Sequence, residues 1–153
     1  MPDAPDPTEG EFVSDYLLYL LAAASEEASA QFHKTVRDQG LRVPEWRVLA
    51  CLQDRDGAMI TQLARFALVE QSRLTRIILQ MDTRGLVSRR SDPEDGRRVR
   101  IFLTQKGHDL AQSLVTQARA HEAKLLDLLP GADSARLKPA LRQMLSTLQS
   151  NGA

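Results

Sequence analysis

Residues 71 to 107 constrain the fold more strongly than any other part of this sequence, because a helix pattern runs directly into a hairpin pattern. The helix pattern has one apolar face, with residues spaced at i, i+3, i+4 and i+7: Leu74, Ile77, Ile78 and Met81. It ends at Gly85, and an alternating strand LVSRRS, a turn DPEDG and a second alternating strand RRVRIFL follow. The segment therefore predicts a helix with one buried face and then an arginine-rich β-hairpin.

The polar face of this helix is suited to reading DNA. Its side chains are long enough to reach base edges in a major groove, and its guanidinium groups can bind guanines or phosphates. The residues on this face are Gln71, Ser72, Arg73, Thr75, Arg76 and Gln80. Upstream, MITQLARFALVE predicts a shorter helix and a break near Leu68 to Glu70, so the two helices form a helix-turn-helix. The hairpin after the second helix makes this a winged helix-turn-helix.

Positive charge is concentrated in this module, although the chain as a whole has a formal net charge of zero. Residues 62 to 106 contain ten basic and five acidic side chains, a net +5, which leaves −5 on the rest of the chain. A local positive field of this kind attracts nucleic acid even when the overall charge is balanced. The module is therefore predicted to bind double-stranded DNA.

Long amphipathic helices are predicted on both sides of the module. Apolar residues at i+4 spacing, beginning at Phe12, predict one helix over Glu11 to Asp38, and a second long helix follows the module. The expected caps and stops are Thr104 before the second helix, Pro130 and Gly131 at its end, and Asp133 or Ser134 before a last helix. Both terminal regions carry more apolar surface than one small core needs, which predicts a homodimer.

Composition excludes several classes of protein. A chain of 153 residues with 42% hydrophobic residues is expected to fold as one domain with its own core. Its acidic N-terminus lacks the basic start of a secretory signal, and the apolar run from Tyr16 to Ala24 is too short to span a bilayer. We therefore expect a cytoplasmic protein without membrane contact. The lone Cys51 and the scattered histidines match no metal site, and no phosphate loop or nucleophile elbow is present. No cofactor, metal or enzymatic activity is expected.

Three stretches resemble the MarR family of bacterial transcription regulators: VPEWRVLACL from Val43, LARFALVEQSRLTRIILQMDTRGLVSRR from Leu63, and DPEDGRRVRIFLTQKG from Asp92. The resemblance implies a mainly α-helical fold with a small β-hairpin wing, in which N- and C-terminal helices form a dimer base. It also implies a transcriptional regulator, commonly a repressor, that binds a palindromic operator. Such a repressor would be released from DNA by a small aromatic or heteroaromatic carboxylate.

The domain boundaries follow from the same resemblance and from composition. A single domain is expected over residues 11–149, with dimerisation helices at 11–42 and 104–149 and the DNA-binding lobe at 43–103. Residues 1–10 and the tail from Ser150 to Ala153 are expected to be disordered.

The wing turn supplies further DNA-binding candidates. Gly96 is expected to adopt the positive φ of a tight hairpin, so that Arg97 projects from the tip toward a minor groove. The resemblance implies that Asp95 orients the wing and that Arg97 contacts DNA. Arg90 and Arg98 complete the predicted DNA-binding set.

Two adjacent arginines in the first wing strand present an unresolved choice. Arg89 and Arg90 face opposite sides of the strand, so at most one of them is expected to face DNA. The other should pair with a nearby carboxylate, for which the candidates are Asp92, Glu94 and Asp95.

An effector pocket is expected between the dimer base and the lobes, where the MarR family commonly binds small aromatic carboxylates or phenols. Its candidate residues are Tyr16, Tyr19, His33, Trp46 and Arg47. The aromatic rings would stack on the ligand, and Arg47 or His33 would bind its carboxylate. The competing interpretations are core packing for Trp46 and a surface or satisfied histidine for His33.

Two alternative functions stay open at this level. Cys51 lies within the helix EWRVLACL and is expected to be buried and structural, but a redox sensor working through its thiol is one alternative. The peroxide-sensing branch of the MarR family carries its cysteine near the start of the first long helix, where this chain has none. The other alternative is a winged-helix module that binds another protein.

Overall fold

The computed structural model of the chain describes residues 10–152. Its helices are α1 (Phe12–Asp15), α2 (Leu17–Asp38), α3 (Val43–Asp54), α4 (Ile60–Ala67), α5 (Gln71–Thr83), α6 (Gln105–Leu126) and α7 (Ala132–Asn151). Its strands are β1 (Ala58–Met59), β2 (Val87–Ser91) and β3 (Val99–Leu103). The mainly helical architecture with a small antiparallel sheet confirms the predicted fold class.

The wing is a three-stranded antiparallel sheet in the order β1-β3-β2. Strands β2 and β3 form the predicted hairpin, with Arg89 opposite Ile101 and Arg90 opposite Arg100. Strand β1 pairs Ala58 with Ile101 along the other edge of β3. The sequence did not indicate β1, because two residues are too few to display an alternating pattern.

The chain divides into two compact units, one ending at Leu114 and one beginning at Val115. In the first unit, a core of fully buried side chains joins the helices of the lobe to the sheet. Its largest members include Leu49, Leu52, Leu63, Leu74, Ile78, Met81, Leu86 and Ile101. The apolar face predicted for α5 is buried along its whole length, so the opposite face of that helix is fixed toward solvent.

The turn between α4 and α5 is held by an unusual backbone conformation. Leu68 ends α4 in the left-handed region, with φ 56° and ψ 42°, and its N–H donates to the carbonyl of Ala64. The Leu68 side chain is 78% exposed, so core packing does not explain the choice of residue. The turn confirms the helix-turn-helix predicted from the sequence.

The second unit contains the end of α6 and all of α7. A salt bridge of 2.9 Å joins Lys138 of α7 to Glu122 of α6. Helix α7 accommodates Pro139 and contains no buried residue. Its apolar side chains are exposed to between 37% and 64%: Leu137, Leu141, Met144, Leu145 and Leu148.

The prediction of one continuous helix over Glu11 to Asp38 is wrong at Tyr16. This residue has an extended backbone, with φ −73° and ψ 122°, and separates α1 from α2. Its N–H donates to the Val13 carbonyl at 3.3 Å, its own carbonyl accepts from Leu20, and its ring stacks on Phe12 at 4.9 Å. These local contacts satisfy the backbone across the break, and no glycine or proline marks the break in the sequence.

The predicted helix ends are partly confirmed. Thr104 caps α6, since its Oγ1 accepts the N–H of Gly107 at 3.0 Å. Helix α6 ends at Leu126, before the predicted stop at Pro130 and Gly131. The prediction that Asp133 or Ser134 caps α7 is wrong, because the helix already begins at Ala132 and Gly131 occupies the cap position. Asp133 lies in the first turn, where a negative charge still interacts favourably with the helix dipole.

The predictions for the two ends of the chain have different outcomes. The tail prediction is wrong for Ser150 and Asn151, which continue α7, and the Ser150 hydroxyl donates to the Ser146 carbonyl at 2.8 Å. Of the segment 1–10 that is predicted to be disordered, Gly10 is described as part of a turn, and residues 1–9 lie outside the described residues.

Candidate nucleic-acid interface

A carboxylate caps the N-terminus of α5. Glu70 accepts hydrogen bonds from the backbone N–H groups of Ser72 at 3.2 Å and Arg73 at 3.3 Å, and from the Ser72 hydroxyl. The hydrogen bond from that hydroxyl is the main reason why the pKa of Glu70 lies below its usual value, and the backbone donors add to the effect. Ser72, a predicted DNA contact, is therefore engaged in capping. The sequence did not indicate Glu70, because glutamate is not among the favoured N-cap residues.

The predicted reading face of α5 is exposed. Gln71, Arg73, Thr75 and Arg76 are all accessible on this surface. The Thr75 hydroxyl donates to the Gln71 carbonyl at 3.0 Å, which orients its methyl group and leaves an oxygen lone pair on the surface. Gln80 lies about two and a half turns beyond Gln71, where its side-chain oxygen accepts a hydrogen bond from Arg42.

The start of α5 and the wing border one cleft of about 440 Å³. Its lining residues are Met59, Ile60, Thr61, Gln71, Thr75, Arg97, Arg98 and Val99. The fold thus brings together two predicted residues of α5, Gln71 and Thr75, and two predicted residues of the wing, Arg97 and Arg98. Thr61 was missed, because an uncharged residue at the start of α4 carries no signal of its own in the sequence.

Aspartates shape the wing turn. The Asp95 carboxylate accepts the N–H of Arg97 at 3.1 Å and lies 3.6 Å from the Arg98 guanidinium. Asp92 accepts the N–H of Glu94 at 2.9 Å through its side chain, and its own N–H donates to the Arg98 carbonyl at 2.8 Å. The expectation of a positive φ at Gly96 is wrong, since the loop is wider than a two-residue turn and the aspartate side chains close it.

An ion pair between a nearly buried aspartate and a partly exposed arginine lies at the base of the wing turn. Asp92 is 7% exposed, and its Oδ2 accepts from the Arg100 Nε at 2.8 Å. The same guanidinium donates to the Gly57 carbonyl at 3.0 Å, which ties the hairpin to the segment before β1. The pKa of Asp92 lies below its usual value, mainly because its carboxylate accepts the Glu94 N–H and in addition because Arg100 lies beside it.

The two adjacent arginines of β2 have different partners. Arg89 Nε donates to Asp82 of α5 at 2.9 Å, so the expected pairing with a carboxylate of the turn is wrong. The reason is the register of the hairpin, which places Arg89 beside α5 and leaves Asp92 to Arg100. Arg90, a predicted DNA contact, is exposed and lies over the Phe102 ring at 4.5 Å.

The predicted effector residues form two separate groups within one chain. Trp46 packs edge-on against Phe32 at 5.2 Å, and the neighbouring Arg47 donates to the Ala67 carbonyl at 3.1 Å. The pKa of His33 is lowered, first by burial and then by the positive charges of Arg47 and Arg37. Tyr16 and Tyr19 are exposed at the other end of α2, and Tyr19 lies about 21 Å from His33 along the helix axis.

Cys51 borders a pocket of about 200 Å³ between α3, β1 and α4, which also contains the exposed ring of Phe66. The expectation of a buried cysteine is wrong, because the residue is of intermediate exposure. The pKa of its thiol is raised, first by burial and then by the negative charge of Asp54. Cys51 therefore stays protonated, a state that does not favour reaction with oxidants.

Other types of site receive no support over residues 10–152. In this range, no three metal-ligating side chains come close enough together to hold an ion. None of the helices described is long and apolar enough to cross a bilayer. The exposed arginines of α5 and the wing include Arg73, Arg76, Arg90, Arg97 and Arg98.

A helix-turn-helix whose second helix is followed by a wing, with Gln71 and Thr75 of that helix and two wing arginines beside one cleft, defines a winged helix-turn-helix DNA-binding protein. A MarR family model matches residues 41–99. The structure is similar to a MarR family transcriptional regulator from Silicibacter pomeroyi DSS-3, with 62% sequence identity and a TM-score of 0.81 over 90% of this chain and 98% of that one. The chain belongs to the MarR family of transcriptional regulators, whose members are not enzymes.

Two further relatives are more distant. The transcriptional repressor IacR of Pseudomonas putida is 31% identical over 103 residues, which are 67% of this chain and 62% of the repressor's own length. The structure of BpsR from Bordetella bronchiseptica, solved to explain how 6-hydroxynicotinic acid regulates its DNA binding, is 25% identical. The match to BpsR has a TM-score of 0.76 and covers 90% of this chain and 96% of that one.

Proposed function

We propose that this protein is a homodimeric repressor that binds a palindromic operator and is released from it by a small aromatic or heteroaromatic carboxylate. The observation that carries the proposal is the cleft where Gln71 and Thr75 of α5 meet Arg97 and Arg98 of the wing. In this arrangement the helix reads base edges in a major groove, while the wing-tip arginines bind phosphates or the adjacent minor groove.

The proposed dimer rests on the apolar surface that each unit leaves exposed. Near its N-terminus, the first unit exposes Phe12, Val13, Leu17, Leu18 and Leu20, each by 45% or more. Helix α7 in the second unit exposes a row of leucines with Met144 among them. Monomeric proteins rarely expose continuous apolar surfaces of this kind, so burial against a second copy accounts for both faces. A dimer would present two α5 helices to half-sites about 34 Å apart.

The proposed effector site lies where α2 meets α3. Trp46 supplies a ring for stacking, Arg47 a permanent positive charge, and His33 an imidazole whose lowered pKa keeps it neutral at neutral pH. The relative regulated by 6-hydroxynicotinic acid supports a heteroaromatic carboxylate as the ligand class. Tyr16 and Tyr19 would join such a site only through the second copy of the dimer.

The alternatives have weaker support. A redox sensor would need a reactive thiolate, whereas the raised pKa of Cys51 keeps its thiol protonated. A protein-binding module would not need the net positive charge of residues 62 to 106.

The test begins with an operator selected from random duplex DNA and measured by fluorescence anisotropy over a salt series. The proposal expects a steep decrease of affinity with salt, a dimer by sedimentation equilibrium, and release of the operator by 6-hydroxynicotinate or benzoate. In a thermal-shift assay, a ligand at a hundredfold excess over its Kd should stabilise the protein by about 2.7 kcal/mol. Failure to select any sequence, or an affinity independent of salt, would contradict DNA binding as its function.

A further inference from the structure

Glu45 is a carboxylate buried in the first turn of α3, with only 1% of the residue exposed. Two arginines bind it: Arg42 Nε donates to one carboxylate oxygen at 2.7 Å, and Arg84 donates to the other at 2.6 Å. A buried carboxylate that loses one partner is left with an uncompensated charge, so this arrangement resists separation of the groups.

The two arginines extend from this carboxylate to other parts of the lobe. Arg84 immediately follows α5 and also donates to the Gly40 carbonyl at 2.7 Å, in the connection between α2 and α3. Arg42, in the same connection, donates to Gln80 on the last turns of α5. The C-terminal end of α5 is therefore bonded at two points to the segment that leaves α2.

Because a helix is rigid, the way its C-terminal end is held determines where its N-terminal residues lie. Helix α5 has 13 residues and is about 20 Å long, so a small tilt at Arg84 displaces the groups at Gln71 and Thr75. A guanidinium that donates to two acceptors at once also restricts the orientation of the groups it joins more than a single hydrogen bond does. The cluster thus restrains the direction in which the reading face points.

We propose that Glu45 and Arg84 are positioning residues, which set the orientation of α5 against the end of α2 and thereby the discrimination between operator and other DNA. Glu45 acts through Arg84, and neither side chain contacts the operator. The inference rests on the proposed role of α5 as the recognition helix.

The test compares Arg84→Gln, Glu45→Gln and the double variant with the wild-type dimer. Anisotropy measures the affinity for the selected operator and for a scrambled duplex of equal length, each over a salt series. Circular dichroism at the assay temperature establishes that each variant is folded. We expect both single variants to lower the ratio of the two affinities by about 2- to 30-fold. The combined loss in the double variant should be smaller than the product of the separate losses, because the two residues act as one unit.

The salt dependence separates positioning from direct binding of phosphate. If Arg84 only positions α5, the slope of log K against log salt stays at its wild-type value, whereas removal of a charge that neutralises one phosphate lowers the slope by about 0.9. Lys34→Gln is the control matched in charge, because it removes one positive charge from an exposed ion pair on α2. Arg84→Lys keeps the positive charge but loses the planar guanidinium that donates to two acceptors. Its ratio of operator affinity to scrambled-duplex affinity should therefore lie between those of wild type and Arg84→Gln.

Three results would overturn the inference: unchanged discrimination in folded Arg84→Gln, a lowered salt slope, or multiplicative losses in the double variant. If Glu45→Gln does not fold, the two Arg84 variants decide the question. Thr75→Ala distinguishes this inference from the proposed function. Loss of discrimination in Thr75→Ala without loss in Arg84→Gln would reject the positioning role alone.

Discussion

Arg100 of β3 and Asp92 at the base of the wing turn form an ion pair of 2.8 Å, and the same guanidinium donates to the Gly57 carbonyl at 3.0 Å. Asp92 directly follows β2, at the point where the strands end and the wing turn begins. We therefore expect the pair to help hold the turn residue Arg97 in its place beside α5. Because a carboxylate contributes to the network only in its charged form, the wing should be sensitive to acid.

The first prediction concerns Asp92→Asn and pH. The folded-state pKa of Asp92 is lowered, so its contribution to stability is present above the unfolded pKa of about 3.9 and is lost as pH falls through the folded value. Asp92→Asn should therefore be less stable than wild type at pH 7, with a difference that shrinks below about pH 4. Urea unfolding from pH 7 to pH 2.5 measures this, with the exposed Asp127→Asn as control. A difference independent of pH would contradict the prediction.

A second prediction assigns Arg97 to the DNA surface. Arg97→Ala should weaken binding to the operator and lower the slope of log K against log salt by about 0.9 for each phosphate that is no longer neutralised, doubled in a dimer. The control is Arg136→Ala, which removes a charge from α7 in the second unit. Equal slopes for Arg97→Ala and wild type would remove Arg97 from the interface.

For the reading face of α5, we expect a loss of discrimination rather than of general affinity. Thr75→Ala or Arg76→Ala should reduce the preference for operator over mismatched DNA by about 1–3 kcal/mol for each base that the variant no longer reads. Competition binding with single-mismatch duplexes measures this preference. Uniform weakening on every duplex would instead show that the residue binds phosphate.

Gly107 should not tolerate a side chain. A Cβ atom at this position would lie 1.9 Å from the Leu86 carbonyl oxygen, and a backbone atom cannot move aside as a flexible side chain can. Gly107→Ala should therefore lower the free energy of unfolding by about 1–3 kcal/mol or more. Gly96→Ala is the control, because a Cβ there meets nothing within 4 Å, and it should change stability by less than about 0.5 kcal/mol. Equal urea midpoints for the two variants would contradict this account.

The last prediction addresses the effector. Arg47→Ala and His33→Ala should still bind the operator but should no longer be released by 6-hydroxynicotinate at the concentration that releases wild type. The reason is that the coupling between effector binding and operator binding, typically about 1–3 kcal/mol, would be lost. Lys34→Ala, which removes an exposed positive charge on the same helix, is the control. If both variants respond as wild type does, the ligand binds elsewhere.

Periodicity explains why much of this fold could be predicted. The buried face of α5 and the alternating strands β2 and β3 arise from residues close in sequence, so their spacing reveals them. The same pattern placed Gln71, Thr75, Arg97 and Arg98 on accessible elements, although only the fold shows that they border one cleft. Their contacts with DNA stay predictions.

Pairs that are distant in sequence could not be predicted in this way. Glu45 and Arg84 are 39 positions apart, and nothing in the spacing of either residue indicates the other. Asp82 was likewise missed as the partner of Arg89, because the nearer aspartates and glutamate of the turn were equally plausible. The break at Tyr16 could not be predicted from the sequence either, because no glycine or proline marks it. It is accompanied instead by a ring stack and by backbone hydrogen bonds.

The backbone of Leu68 has a consequence for how this protein can evolve. A left-handed conformation costs a residue with a side chain about 1–2 kcal/mol, and glycine avoids that cost. Since 78% of Leu68 is exposed, replacing it would remove little packing from the core. In a lineage under selection for growth at higher temperature, the single substitution Leu68→Gly would therefore be a route to a more stable lobe. That route leaves every side chain of α5 and the wing unchanged.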